Sequence, residues 1–185
     1  MRIIRGIYGR RRFRIPPSFS ARPTTDFAKE NLFNVLENLV DWDGMRALDL
    51  FSGTGSISFE MLSRGCRQVT AVELNPVHAS FIRKVAGELQ TEALDLIRGD
   101  VFRYLRSARG QAFDLVFADP PYTLKELPEL PRLIENGKWL REGGLFILEH
   151  SKTYDFSAFP QFCQKRTYGS VNFSIFKSKD WQQPG

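Results

Sequence analysis

Two short stretches, seventy residues apart, constrain this chain more than any other feature. Leu48-Asp49-Leu50-Phe51-Ser52-Gly53-Thr54-Gly55 reads as a buried strand that runs into a glycine turn and then a helix. Ala118-Asp119-Pro120-Pro121-Tyr122 reads as a second buried strand that ends in an acidic, doubly prolyl loop. Strands that are apolar on both faces belong to a parallel sheet covered by helices. The carboxyl ends of such strands share one edge, and ligands bind in the crevice outside it. Both loops are therefore expected to face one crevice.

The surrounding sequence alternates strand and helix. Strands are expected at 46–51, 68–74, 94–99, 113–118 and 144–149. A helix over 57–64 is closed by Gly65. Asn75-Pro76 reads as a cap and first turn, with Val77, Phe81, Val85 and Leu89 as the buried stripe of the next helix. A short helix is expected at 101–108, and another within 124–140, interrupted by Pro128 and Pro131. After that the pattern changes. Residues 162–168, Gly169-Ser170 and 171–176 read as a hairpin. Val171, Phe173 and Ile175 alternate there with Asn172 and Ser174, the period of a strand with one buried face. The expected architecture is one doubly wound α/β domain of five parallel strands ending in an antiparallel hairpin.

Ahead of this body, Thr24-Thr25-Asp26 caps an amphipathic helix over 25–40, marked by Leu32, Val35, Leu36, Leu39 and Val40. Pro16-Pro17 ends the segment before it, and residues 18–23 read as a loop. Residues 1–15 alternate weakly through Ile3, Ile4, Ile7, Phe13 and Ile15, with Gly6 and Gly9 between, as in a small β-hairpin or ribbon. Its charge is distinctive. The chain carries a net +5, from 26 basic and 21 acidic residues. Arg2, Arg5, Arg10, Arg11, Arg12, Arg14 and Arg22 all lie in the first 22 residues, which contain no acid. The rest of the chain holds 19 basic groups against all 21 acids, so the excess charge is one arm (1–22) on a near-neutral body (23–185). Such an arm points to a polyanion, RNA or DNA; the plainer alternative is a solvated basic tail.

With 185 residues and 42% apolar content, the chain suits one domain with a substantial core. It shows no apolar run of eighteen residues and no apolar segment of a signal peptide, so no membrane role is expected. Cys66 and Cys163 stand far apart without a CxxC, which suits a reducing compartment and gives no zinc site.

Gly53 and Gly55 flank the first turn, where glycine allows positive φ and close backbone approach to a ligand. Glu73, twenty residues after Gly53 at the end of the second strand, is placed to accept hydrogen bonds from ribose hydroxyls. Asp100 closes the third strand, where it can meet an adenine amino group with Val101 packed on the ring. A dinucleotide fingerprint would need glycine at 58, where Ser58 stands. Asp49 begins the turn and suits a cationic ligand end better than a pyrophosphate. S-adenosylmethionine, with a sulfonium and an ammonium but no phosphate, meets these conditions. Phe51, Ser52, Thr54 and Leu74 complete the candidate cofactor set. Taken alone, a GxG turn can also serve packing only.

The second loop points to an amine acceptor. An exocyclic amine on a nucleobase is a poor nucleophile, because its lone pair is delocalised into the ring. The Asp119 carboxylate and the Pro120 carbonyl can accept its two hydrogens and favour a pyramidal nitrogen. Pro120 and Pro121 fix the loop without adding donors. Tyr122 offers a face for a base turned out of its helix. Guanine presents N1–H and an N2 amine side by side, which a carboxylate can accept together. This favours guanine over adenine only weakly.

The order Arg22-Pro23-Thr24-Thr25-Asp26, then Glu30-Asn31-Leu32-Phe33-Asn34, LDLFSGTGSISFEMLSRG, Glu73 and FADPPY resembles the RsmD-like family of bacterial small-subunit ribosomal RNA guanine-N2 methyltransferases. The resemblance covers almost the whole chain. It implies a seven-stranded Rossmann-like (class I) methyltransferase fold, S-adenosylmethionine as donor, and small-subunit RNA or an assembled 30S-type particle as substrate. It places Asp49, Gly53, Gly55, Glu73 and Asp100 at the cofactor, Asp119 to Tyr122 at the guanine, and Thr24 and Thr25 at the border of the active site. Residues 123–131 are where divergence is expected. A cytoplasmic monomer follows as the working expectation. Other readings are an N-methyltransferase acting on adenine or a protein amide, a non-catalytic RNA-binding assembly protein, and a nicotinamide oxidoreductase. His78 is expected on a helix surface, and His150 carries no assigned role.

Overall fold

The computed structural model describes residues 1–19, 24–107 and 111–179. Arg22 of the arm, Pro23 with most of the loop before Thr24, and Ala108 at the end of a predicted helix lie outside these residues. Seven strands form one sheet in the order β3-β2-β1-β4-β5-β7-β6. β1 (Arg46–Leu50), β2 (Gln68–Glu73), β3 (Leu94–Arg98), β4 (Phe113–Ala118) and β5 (Leu140–His150) are parallel. β6 (Phe162–Tyr168) and β7 (Val171–Lys177) close the sheet as the antiparallel hairpin. The helices are α1 (Asp26–Leu36), α2 (Ser56–Arg64), α3 (Pro76–Leu89), α4 (Val101–Ser107) and α5 (Leu130–Asn136). Strand order reverses between β1 and β4, and this switch point is where such sheets bind ligands.

Period-two alternation divides each central strand between two cores. Ala47, Leu115, Phe117, Leu145 and Ile147 join the core under α1, α2 and α3. Leu48, Leu50, Val116, Ala118, Phe146 and Leu148 join the other, with Leu105, Leu130, Ile134 and Trp139. Both faces are therefore dry, as a parallel sheet requires.

Several elements depart from the sequence pattern. α1 ends at Leu36 rather than 40: Asn38 Nδ2 donates to the Asn34 carbonyl at 3.1 Å, and Leu39 N closes a tighter turn on Leu36. β5 begins at Leu140, because a register shift between Phe113 and Leu115 absorbs the Gly143-Gly144 pair inside the strand. The segment over 124–140 resolves into a 3-10 turn (Leu127–Glu129) and the short α5. β7 is buried on both faces, not one, because it lies between β5 and β6. Asn172 and Ser174 meet this burial with partners, Asn172 Oδ1 accepting from Thr167 Oγ1 and Ser174 Oγ lying against His150. Val77 is 43% exposed, while His78 is buried under Phe19, their rings stacked 4.1 Å apart.

The N-terminal segment forms a narrow ribbon with one β-bridge, Arg2 to Arg12, and it packs on α2. Glu60, fully buried on α2, accepts from Ile4 N at 2.8 Å, Arg5 N at 3.2 Å and Arg64 Nε at 2.9 Å. Lys29 of α1, also fully buried, lies 3.6 Å from the same carboxylate and donates to Ser56 Oγ and the Arg2 carbonyl. Burial pulls the Lys29 ammonium below its usual range, and Glu60 opposes the shift. Gly6 lets the ribbon touch α2, since a Cβ there would sit 1.7 Å from the Ser63 carbonyl. Ile3, Ile4 and Phe13 are buried, whereas Ile7 is 78% exposed at the turn.

Removing one partner of a buried ion pair leaves the other charge uncompensated. Glu60→Ala should therefore cost about 3–5 kcal/mol of folding free energy, measured by urea unfolding. A loss under about 1 kcal/mol, the scale of a surface pair, would contradict this role.

Candidate active site at the strand edge

An acid stands at or near the carboxyl end of each of the five parallel strands: Asp49, Glu73, Asp100, Asp119 and Glu149. Their environments differ. Glu73 holds the glycine turn, its Oε2 accepting from Gly53 N at 2.7 Å and its Oε1 from Asn75 N at 2.8 Å. His78 Nδ1 lies 3.5 Å from the same carboxylate. Asp100 is exposed and caps α4 by accepting from Arg103 N at 2.8 Å.

The turn itself is left-handed at Phe51 (φ +61°), Gly53 (φ +56°) and Gly55 (φ +75°). Ser52 Oγ donates to the Asp49 carbonyl at 2.8 Å, and Gly55 N to the Ser52 carbonyl at 2.7 Å. A Cβ added to Gly53 would meet nothing nearer than the Phe51 carbonyl oxygen at 4.0 Å, so a ligand can approach that backbone. The positions read as cofactor contacts divide by exposure. Leu74 is 64% exposed beside Glu73. Val101 is buried in the core, Phe51 packs edge-on against Phe102, and Thr54 is buried.

Asp49 does not open the turn toward the crevice. It lies inside β1, 1% exposed, and accepts from Ser58 Oγ at 2.5 Å. Burial pushes its carboxyl up to about 7, against the Ser58 hydrogen bond and with help from Glu73. Ser58, read above only as a missing glycine, is thus the partner of Asp49.

On the other side of the switch point, Thr24 Oγ1 lies 3.2 Å from Asp119 Oδ2 and 3.5 Å from Glu149 Oε2. The Tyr122 hydroxyl donates to Glu149 Oε1 at 2.9 Å, while its ring remains 38% exposed. Pro120 is buried and Pro121 exposed. Burial, followed by the like charge of Glu149, raises the Asp119 carboxyl well above the usual carboxylate range. Glu149 was missed by the motif reading, and it completes the acceptor cluster. Thr25 caps α1, accepting from Ala28 N at 3.2 Å.

A cleft of about 610 Å³ opens between the ribbon, the start of α1 and the turn, lined in part by Arg12, Arg14, Thr24, Thr25, Thr54 and Ser56. Arg5, Arg10, Arg11, Arg12 and Arg14 are exposed. Arg11 is tied to the Glu88 carbonyl at 3.1 Å and lies over Phe13, and Arg2 lies 4.0 Å from Asp26. His150 is structural. Its Nδ1 meets the Ser151 carbonyl and its Nε2 meets Ser174 Oγ, each at 2.8 Å, and burial lowers its basicity. Among the described residues no group of acids, histidines and cysteines could hold a metal, and no helix is long and apolar enough to cross a membrane.

Residues 1–177 match the family model described as Conserved hypothetical protein 95. The chain belongs to this family. It is 33% identical to "Putative rRNA methyltransferase YlbH" of Bacillus subtilis (strain 168), over 97% of this chain and all of that protein. It is 30% identical to "Ribosomal RNA small subunit methyltransferase D" of Haemophilus influenzae, over 96% of this chain and 94% of that one. Among solved structures, "Putative methyltransferase yhhF from Escherichia coli" superposes with a TM-score of 0.84 at 26% identity, covering 98% and 99% of the two chains. Membership in the Conserved hypothetical protein 95 family thus bears out the resemblance read from the motifs, and the seven-stranded sheet bears out the fold.

Asp49 gives a pH signature. With a folded value near 7 against 3.8 ordinarily, the native state keeps a proton that the unfolded chain has released. This group's contribution to stability is therefore lost as pH rises from 3.8 to about 7. Stability of the parent minus that of Asp49→Asn should fall by about 1.4 kcal/mol per pH unit across that window. A difference that does not change with pH would contradict the buried, protonated Asp49.

Proposed function

We propose that this chain transfers a methyl group from S-adenosylmethionine to the exocyclic N2 amine of a guanine in small-subunit (16S) ribosomal RNA. The observation that carries the reading is the set of acids along one sheet edge, Glu73 and Asp100 on one side of the switch point and Asp119 and Glu149 on the other, with Asp49 buried inside β1. An acidic edge attracts a cationic donor and repels a pyrophosphate. When bound, S-adenosylmethionine supplies an electrophilic methyl on a sulfonium. Glu73 would accept from the ribose hydroxyls while keeping the Gly53 amide, because a carboxylate has lone pairs for both. The uncrowded Gly53 backbone and exposed Leu74 fit a nucleoside lying across the turn.

Across the crevice, Asp119 and the Pro120 carbonyl would accept from the guanine amine, and the exposed Tyr122 ring would stack on the base. The tether from Tyr122 to Glu149 holds that ring in place. The relatives whose names specify ribosomal RNA, one of them its small subunit, support RNA as acceptor. The arm of residues 1–22 would dock the phosphate backbone and the body of residues 23–185 would select the base, since phosphate contacts position without reading sequence. The proposed setting is a cytoplasmic monomer acting on ribosomal RNA or a 30S-type particle.

Glu73→Ala should weaken donor binding by about 1–3 kcal/mol in calorimetry, and unchanged affinity would remove the ribose role. Asp119→Ala should keep donor binding and slow single-turnover methylation by roughly 10²-fold or more; a rate within a few-fold of the parent would sink its role. Arg12→Ala with Arg14→Ala should flatten the slope of log RNA affinity against log salt by about 1.5, at roughly 0.7–0.9 per phosphate contact. Equal slopes would make these arginines bystanders.

A further inference from the structure

Among the strand-end acids, Asp119 and Glu149 stand at matching positions on neighbouring strands. Ala118 is in register with Leu148 on neighbouring parallel strands, so the residues that follow them sit side by side at the edge. Both carboxyl groups converge on one hydroxyl, Thr24 Oγ1, which lies 3.2 Å from Asp119 Oδ2 and 3.5 Å from Glu149 Oε2. Two carboxylates brought to one hydroxyl repel, and one proton held by the pair relieves that repulsion. Thr24 cannot neutralise both, because a hydroxyl has one proton to give and lies 3.2 Å from one carboxyl and 3.5 Å from the other. Tyr122 donates to Glu149 Oε1 and leaves Oε2 as the oxygen on the Thr24 side.

The surrounding groups point the same way. From β1, Asp49 adds a further like charge toward Asp119 once it ionises, above about pH 7. From β2, Glu73 acts on Asp49. His150, next along β5, spends both ring nitrogens on Ser151 and Ser174. The loop ahead of α1 contributes Thr24, and the loop after β4 contributes Tyr122.

We propose that Asp119 and Glu149 work as one proton-sharing unit, in which Glu149 is a positioning residue that keeps one proton and one negative charge opposite the acceptor amine. The chemical use of this unit rests on the methyl-transfer reading above. In that step the nitrogen lone pair forms the N–C bond. The C–S bond of the donor breaks with its electrons left on sulfur, and the surplus proton on nitrogen passes to the ionised member of the pair. The pair then holds two protons and returns one to solvent as product leaves. A pair that keeps one proton and one charge accepts this proton without placing two bare carboxylates in a buried site.

The test reads the carboxyl groups directly, in the full chain without RNA or donor. Carbon-13 NMR of labelled Asp and Glu side chains is followed across pH in the parent, in Glu149→Gln and in Asp119→Asn. In the parent, the Asp119 and Glu149 signals should respond together in two steps, because coupled groups titrate as a unit. In Glu149→Gln, Asp119 should titrate in one step, lower by about one pH unit or more, since the like charge and the shared proton are gone. Asp119→Asn should collapse the Glu149 titration to a single step in the same way. Asp119 titrating identically in parent and Glu149→Gln, or Glu149 keeping two steps in Asp119→Asn, would overturn the pair. Methylation assays on the same three proteins separate the two claims. Coupled titration in a parent that methylates no RNA would keep the pair and reject the methyl-transfer reading.

Discussion

The active site depends on a carboxylate that lies outside it. Glu60 gathers two ribbon amides, Arg64 and the Lys29 ammonium into one dry cluster. Through it the ribbon, α1 and α2 become one block. α2 starts at the end of the glycine turn, and α1 starts one residue after Thr25. Locking these helices together therefore sets how Thr24 meets Asp119 across the crevice. Buried ion pairs contribute little net stability compared with an apolar replacement. Their geometry is demanding, however, and this one fixes the spacing of three segments that are distant in sequence.

Charge is divided between two surfaces. The sheet edge is acidic, with at least two of its acids pushed toward their neutral forms by burial. The ribbon beside it is basic, with five exposed arginines among residues 5–14. A polyanion held by the ribbon would meet an edge unfavourable to phosphate, which leaves a nucleobase as the part suited to enter. The cleft lined by Arg12, Arg14, Thr24 and Thr54 lies where these surfaces join.

Much of this was legible in the sequence. Largely apolar runs marked β1, β2 and β4, and the two loops after β1 and β4 do flank the switch point. What escaped depends on contacts between distant segments. Glu149 lies in the run LFILEH, where a single acid near a strand end carries no motif, yet it occupies the position that Asp119 holds on the next strand. Lys29 and Glu60 look like surface residues on amphipathic helices until the ribbon covers them. His78 is buried because Phe19, nearly sixty residues earlier, stacks on it. Asn172 and Ser174 alternate as a solvated face would, but β6 and His150 enclose them.

The central claim is that the crevice brings a guanine N2 amine to a methyl donor. The most direct measurement is nucleoside analysis of small-subunit RNA after incubation with labelled S-adenosylmethionine and the parent chain. The account predicts label in N2-methylguanosine, formed far more slowly after Asp119→Ala. Label in a methylated adenosine, or in protein rather than RNA, would contradict it.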